Sequence, residues 1–284
     1  MKRLPCISST ENERFKLARA LTKGHWRKKY GLFLIETPLL VLEALNSDWH
    51  VEWMALTTQF AQTEKGARLI ELAKRQSVDV MLMHEGLMRE ISTLESGACV
   101  IAVVRQRHQH LGEITIEGRS CVIVLEDVQD PTNVGSIIRI ADAVGACGVI
   151  TTPGTADRYN LKVIRASSGS TFHITIVKVG DVSELERWLM ENGFQVVATD
   201  PHSGECCYRH RFGERVALLF GNEARGLSER MRRIANVTLT IPMHGRAESL
   251  NVSHACAILA YEVLRQWHYA DMMASSRRAS QQVN

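Results

Sequence analysis

Three times in the second half of this chain an apolar strand runs into a polar turn and a helix follows. The first instance is Cys121 to Val144, CVIVLEDVQDPTNVGSIIRIADAV. Valine, isoleucine and leucine lead to Asp130-Pro131, Asn133 and Gly135, and then to a helix carrying Arg139. The second is Val216 to Leu227, VALLFGNEARGL, where a strand of buried type meets Gly221-Asn222-Glu223, with Gly226 just beyond. The third is Ile241 to Glu262, IPMHGRAESLNVSHACAILAYE. Here Pro242 ends the strand, because proline has no N–H to donate. Ser249, Asn251 and Ser253 are residue types that cap helix N-termini, and no turn residue follows through Trp267. Apolar strands alternating with helices build a parallel sheet covered by helices. In open sheets of this kind ligands bind beyond the carboxyl ends of the strands, and a helix mouth with free N–H groups suits a polar ligand.

The same alternation organises the rest of residues 120–270. Strands are predicted at Cys121–Leu125, Gly148–Thr151, Ile174–Val179, Gln195–Thr199, Val216–Phe220 and Val237–Ile241. Helices are predicted at Gly135–Val144, Asn160–Ala166, Val182–Asn192, Ser228–Ile234 and Val252–Trp267, giving an α/β, doubly wound, mostly parallel sheet. Residues 31–105 alternate on a smaller scale: strands at Leu32–Ile35, Val51–Leu56, Val78–Met83 and Ala98–Val104, helices at Leu39–Leu45, Glu64–Arg75 and His84–Ile91. That pattern predicts a small α/β domain. The polar stretch 106–119 reads as a linker or hairpin, and 271–284 as a disordered tail.

Residues 1–30 form a basic helical extension. Ser8-Ser9-Thr10 offers a cap for a helix over 11–22, with Phe15, Ala18 and Leu21 on one face. Nine Lys and Arg stand against two Glu in these 30 residues. The segment therefore carries +7 of a chain total of +3, and the remainder is negative. Trp26 and Tyr30 interleave with the charges, which points to RNA; the alternative is a solvated helix face.

Several classes are excluded. A hydrophobic content of 45% supports a sizeable core, and no apolar run reaches membrane-spanning length. The start, MKRLPCISSTENERF, has no apolar stretch of signal-peptide type, so a cytoplasmic protein is expected. Seven cysteines without a Cys-x-x-Cys pair indicate neither a disulfide framework nor a zinc site. Cys121 and Cys147 read as small core residues, the adjacent Cys206 and Cys207 as candidates for exposure, and His202, His210 and His244 as loop residues; no metal is expected. No Gly-x-Gly-x-x-Gly follows a strand and no Gly-Lys-Ser/Thr occurs, which sets aside dinucleotide-binding and P-loop folds.

Taken together, the three motifs resemble the SpoU branch of the SPOUT RNA methyltransferases, which methylate ribose 2′-hydroxyls with S-adenosylmethionine. The matching residues are Asn133, Gly135 and Arg139; Gly221, Asn222, Glu223 and Gly226; and Ile241, Pro242, Ser249, Leu250 and Asn251. The resemblance implies a SPOUT domain with a C-terminal trefoil knot and a homodimer. It assigns Arg139, Asn133, Glu223, Ser249 and Asn251 to catalysis and the substrate side, and Thr199, Gly221, Ile241, Met243 and Leu250 to the cofactor. Arg139 would polarise the hydroxyl and grip the adjacent phosphate; pairing with Asp142 or Glu126 is its purely structural alternative. Asn133 and Glu223 would orient Arg139 or the ribose, or else only form a turn and a helix cap. The loop Arg165 to Ser170 resembles a family segment near the substrate.

The first domain resembles the ribosomal-protein-like substrate-binding domain of the same family. It is carried by Ile7-Ser8-Ser9, Asn12, Lys16, Leu32 to Glu36 and Glu43-Ala44-Leu45, with Thr37 standing where the family often has glycine. The implied partner is RNA, 23S ribosomal RNA above all, and neither DNA nor a membrane. Two alternatives stay open: a transfer-RNA 2′-O-methyltransferase, and a non-catalytic RNA-binding or ribosome-assembly protein.

Overall fold

The structure, a computed structural model, describes residues 4–281, with side chains as far as Tyr269. The chain folds as two units, Met1–His108 with Asp157–His173, and Gln109–Ala156 with Ile174–Asn284. The second unit confirms the mixed α/β, mostly parallel architecture. The first differs from the sequence pattern, because residues 157–173 leave the 120–270 stretch and pack with it.

In chain order the first unit begins with β1 (Cys6–Ile7), α1 (Glu13–Leu21), α2 (Gly24–Tyr30), β2 (Leu32–Glu36), α3 (Pro38–Asn46) and β3 (Val51–Leu56). It continues with α4 (Thr58–Ala61), α5 (Glu64–Arg75), β4 (Asp79–Met83), α6 (Glu85–Ile91) and β5 (Val100–Arg105). The sheet order is β1-β4-β3-β5-β2, with β5 antiparallel to both neighbours. Both faces are buried, and the period of two sorts the side chains. Phe33, Ile35, Met54, Ala102 and Val104 join α3 and α5 on one face. Leu34, Ala55, Met81, Ile101 and Val103 join α1 and α6 on the other. The cap of α1 is Asn12, whose Oδ1 accepts from the N–H groups of Arg14 and Phe15, and not the Ser8–Thr10 run. Helix α2 ends at Gly31 in the left-handed conformation, φ 63°.

The second unit starts with β6 (Ser120–Leu125), α7 (Pro131–Ala143) and β7 (Gly148–Thr151). The linker before it holds a 3₁₀ turn, Leu111–Glu113, rather than a hairpin, and buries Leu111 and Ile114 in this unit's core. Helix α7 begins at Pro131, four residues earlier than its pattern suggests. Asp130 caps it through Thr132 N at 2.6 Å, and proline suits the first helical position.

The chain then crosses into the first unit for Asp157–His173, which includes α8 (Leu161–Ala166). Arg27, only 4% exposed, donates to Asp157 Oδ2 from Nε at 2.9 Å and from Nη2 at 2.7 Å. Its Nη1 donates to the carbonyls of Leu21 and Thr22. The Tyr159 ring lies 4.7 Å from Phe33, and Phe172 meets Trp49 edge-on at 5.5 Å. Arg165 donates to Thr93 Oγ1 at 2.9 Å and sits 3.7 Å from the buried Glu36 carboxylate.

Back in the second unit follow β8 (Ile176–Lys178), α9 (Val182–Glu191), β9 (Gln195–Thr199), β10 (Glu205–Cys206) and β11 (Arg215–Phe220), then α10 (Glu229–Arg233), β12 (Val237–Thr240) and α11 (Val252–Gln281). The sheet order is β10-β12-β9-β11-β6-β7-β8, parallel throughout. Valines and leucines of β6, β9 and β11 pack with α9 and α10 in one core, while α7 and α11 pack together. Helix α11 continues to Gln281, so the stretch expected as a tail is helical to that residue, and the last three residues lie outside the described ones. Cys207 is buried and Cys206 half-buried, contrary to the exposure suggested by their polar surroundings. No helix among the described residues is long and apolar enough to cross a membrane.

Candidate active site

The parallel order brings the carboxyl ends of β12, β9 and β11 side by side, and the loops beyond them enclose a cavity of about 540 Å³. That volume lies in the range of small-molecule sites. Thr199, Gly221, Ile241, Met243 and Leu250, the five residues assigned to the cofactor, all line it. So do Glu223, Ser249 and Asn251.

Local backbone rules shape each wall. Thr199 ends β9 and donates Oγ1–H to Leu219 O at 2.8 Å. The next residue, Asp200, accepts from His202 N and Ser203 N and pairs with Arg232 at 2.7 Å. Burial pushes the Asp200 carboxyl up, but these hydrogen bonds and Arg232 outweigh it and hold it below the usual range. The loop after β11 closes on itself: Asn222 N donates to Gly226 O at 3.1 Å and Gly226 N to Asn222 O at 2.8 Å. A Cβ at Gly221 would stand 2.2 Å from the Gly226 carbonyl carbon, so the protein's own backbone requires glycine there.

A chain of side-chain hydrogen bonds ties the three motifs together. Asn133 Nδ2 donates to Glu223 Oε1 at 3.0 Å. Asn251 Nδ2 donates to Asn133 Oδ1 at 2.9 Å. Asn251 Oδ1 accepts from Ser253 N at 2.8 Å and from its hydroxyl, which makes Asn251 the cap of α11. Glu223 also accepts from Gln129 N and Asp130 N, the N–H groups just before α7. Burial raises the Glu223 pKa, but hydrogen bonds led by that of Asn133 outweigh it and leave the carboxyl below its ordinary value. Glu223 is thus an ionised acceptor at neutral pH, and it fixes the β6 turn rather than only its own loop.

Arg139 is placed elsewhere. It is exposed on α7, and it is not among the cavity-lining residues. Six residues past Asn133, it points roughly 120° away around the helix. Asn133 and Glu223 hold each other. Arg165 to Ser170 belong to the first unit. Sequence reasoning did not single out Asp200, Arg232, Asp127 or Arg225. Asp127 has φ 54° and accepts from Asn222 and Arg225, so it braces the β11 loop from the β6 end. The available signal was its place two residues after the end of a buried strand.

The profile of the SpoU rRNA Methylase family matches residues 120–261, half of the chain, and spans all three motifs. The chain belongs to the SpoU rRNA methylase family. Residues 12–102 match the MRM3-like substrate binding domain. Among SpoU relatives, the 23S rRNA (uridine(2479)-2′-O)-methyltransferase of Streptomyces viridochromogenes is 32% identical over 266 residues, covering 91% of each chain. RlmP of Bacillus subtilis, a 23S rRNA (guanosine(2553)-2′-O)-methyltransferase, is 31% identical and covers 90% of this chain and 98% of its own. The crystal structure of the SpoU methyltransferase AviRb from Streptomyces viridochromogenes with AdoMet aligns with a TM-score of 0.82 at 31% identity, over 90% of this chain and 98% of that one. An AdoMet-bound rRNA methyltransferase from Sinorhizobium meliloti aligns with a TM-score of 0.82 at 30% identity, over 92% and 97%.

Proposed function

We propose that this chain uses S-adenosylmethionine to methylate a ribose 2′-hydroxyl in structured RNA, with 23S ribosomal RNA as the substrate. The observation that carries this is the Glu223–Asn133–Asn251 network, one side chain from each strand-end turn, beside a cavity of cofactor size. The lining fits the cofactor's chemistry. Leu239, Ile241 and Leu250 offer apolar surface to a flat heterocycle, and Asp200, Glu223 and Glu248 offer carboxylates to cationic groups. When bound, the cofactor supplies an electrophilic sulfonium methyl. Thr199, Gly221, Ile241, Met243 and Leu250 hold it, and Ser249 and Asn251 face the ribose at the mouth of α11.

A 2′-hydroxyl is a weak nucleophile, so the protein must align it and stabilise charge developing on its oxygen. Arg139 is the group for that task. A guanidinium stays protonated, and it acts by its charge and its grip on phosphate rather than as a base. Its position away from its own cavity supports a homodimer in which each Arg139 serves the other subunit's site. Helix α11 adds to this. Cys256, Leu259, Ala260 and Val263 are buried, while Ile258 and Tyr261 remain 37% and 57% exposed, an apolar face suited to a second copy. The same reading includes the C-terminal trefoil knot that the family resemblance implies. It also places the protein in the cytoplasm, where its RNA substrate is.

The deciding experiment maps 2′-O-methylation in 23S rRNA and tRNA from cells with and without the protein. Loss of one 23S site is the expected result. Loss in tRNA instead moves the substrate. No loss, together with no heat of AdoMet binding by isothermal titration, leaves a non-catalytic RNA-binding or ribosome-assembly protein.

A further inference from the structure

Among the described residues up to Tyr30, the positive charges separate into two groups once partners are counted. Arg14 pairs with Asp79, Lys16 with Glu11 and Glu13, Arg19 with Glu90, and Arg27 with Asp157. Lys23, Lys28 and Lys29 are exposed and have no acidic partner among the described residues. All three lie on or directly before α2, GHWRKKY.

Helix α2 also carries aromatic rings that stay out of the core. Trp26 and Tyr30 stand one helical turn apart, so their side chains share a face. Their rings stack at 5.5 Å with planes 17° apart. His25 lies beside the stack, its ring 5.0 Å from Trp26 and tilted by 43°. Lys29 Nζ lies 4.6 Å from the Trp26 centroid and 5.9 Å from that of Tyr30, within cation–π range. Trp26 covers one side of Tyr30, yet Tyr30 remains 47% exposed. An adjacent flank of the helix is held by the buried Arg27, and Gly31 fixes its end. The stack is therefore presented on a fixed support rather than on a mobile arm.

We propose that the Trp26–Tyr30 stack, with His25 beside it and with Lys23 and Lys29, is a docking platform for an unpaired base in a single-stranded segment of the RNA substrate. The base continues the stack on Tyr30, and the lysines take the flanking phosphates. This rests on the RNA reading of the protein and adds where an unpaired nucleotide is held. A flat aromatic face bordered by unpaired cations matches the two components of single-strand binding, stacking and backbone charge. A duplex keeps its bases stacked inside and offers such a platform only phosphates.

The test is fluorescence anisotropy of the full-length protein with a labelled ten-nucleotide oligouridylate and, separately, a labelled ten-base-pair RNA duplex. Tyr30→Ala should weaken oligouridylate binding about 5- to 150-fold, the loss of one stacked base. It should leave duplex affinity and the salt slope nearly unchanged. Tyr30→Phe should bind as wild type does. The pair Lys23→Ala and Lys29→Ala should make the slope shallower by about 1.4, at roughly 0.7 per phosphate on a single strand. Equal thermal midpoints for Tyr30→Ala and wild type exclude misfolding. The proposal is overturned if Tyr30→Ala binds oligouridylate like wild type, or weakens both RNAs equally. It is also overturned if a polyglutamate peptide displaces oligouridylate equally well from wild type and Tyr30→Ala, which would mark a site for any acidic chain. A wild-type protein that binds neither RNA overturns the RNA reading along with the platform. A wild-type protein that binds both RNAs, with Tyr30→Ala unaffected, overturns the platform alone.

Discussion

At the scale of single residues, Thr37 shows how a departure in sequence becomes a backbone cost. It occupies φ 90°, ψ 143°, a region that disfavours any residue with a Cβ, at the position where the family resemblance leads one to expect glycine. Its hydroxyl caps α3 through Leu40 N at 3.4 Å, a long bond, and glycine at a cap costs only a few tenths of a kcal/mol. Thr37→Gly should therefore stabilise the protein by about 1 kcal/mol, a rise of roughly 2–4 °C in thermal midpoint by calorimetry. An unchanged or lower midpoint would show that the cap outweighs the strain. Glu223 makes the opposite case, a residue whose charge the fold requires. Its folded pKa is depressed, so its contribution is fully present above the unfolded value near 4.5 and is lost as pH falls through the lower folded value. Glu223→Gln turns an amide N–H toward donors that need an acceptor. The variant should be less stable by about 1 kcal/mol above pH 5, a charge-assisted bond discounted for the exposure of this side chain. The deficit should shrink toward pH 3, and urea titrations at several pH values measure it directly. A deficit that stays constant with pH would detach it from ionisation.

Elements were legible in the sequence where apolar periodicity or turn chemistry dominates. Val51–Leu56, Gly148–Thr151, Gln195–Thr199 and Glu64–Arg75 begin and end where the pattern places them. The residues expected on the cofactor side all line one cavity, because parallel order aligns carboxyl ends whatever the details of the loops. Elements whose stability comes from elsewhere were not legible. Strands β1 and β10 have two residues each, too few for a period. Helix α2 has no apolar stripe; it is held by Gly31 and by Arg27 reaching across 130 positions to Asp157. The crossing of 157–173 was hidden for a related reason: Leu161, Ile164 and Phe172 have the apolar character of any α/β segment, and only the fold shows that Phe33, Trp49 and Leu34 are near them. Arg27→Ala should consequently act beyond its own helix. It removes two bonds to Asp157 and leaves two carbonyls short of donors, at a cost of about 2 kcal/mol, below the full buried-pair value because Asp157 is partly exposed. Arg27→Lys should recover little, since an ammonium cannot reproduce the fork. Denaturant midpoints of the two variants check this, and a fully restored Lys variant would reduce the contact to simple charge pairing.

For the whole molecule, the proposed function divides the chemistry between two places on one chain, the network and Arg139. Glu223, Asn133 and Asn251 lock three turns around the cavity, while Arg139 is exposed on another side of α7. A chain that acts alone would have to reorient α7, which Asn133 pins to both Glu223 and Asn251. On the proposed reading a second copy would resolve this without rearrangement, and it would also cover Ile258 and Tyr261. Sedimentation equilibrium at micromolar concentration should give twice the chain mass of 31.9 kDa, and a monomer mass would sink the shared site. Arg139→Ala should lower methyl transfer by at least about 100-fold, the scale of losing one charge-stabilising donor, with AdoMet affinity by titration unchanged. Asn251→Ala should be impaired through its own cavity instead, since it loses both the α11 cap and the bond to Asn133. Mixing the two inactive variants under conditions of subunit exchange then separates the geometries. Heterodimers combine the intact cavity of one subunit with the Arg139 of the other, so partial activity should return. Absence of rescue, with exchange verified by differently tagged chains, would mean that each site is completed within its own chain and that α7 must turn to bring Arg139 to it.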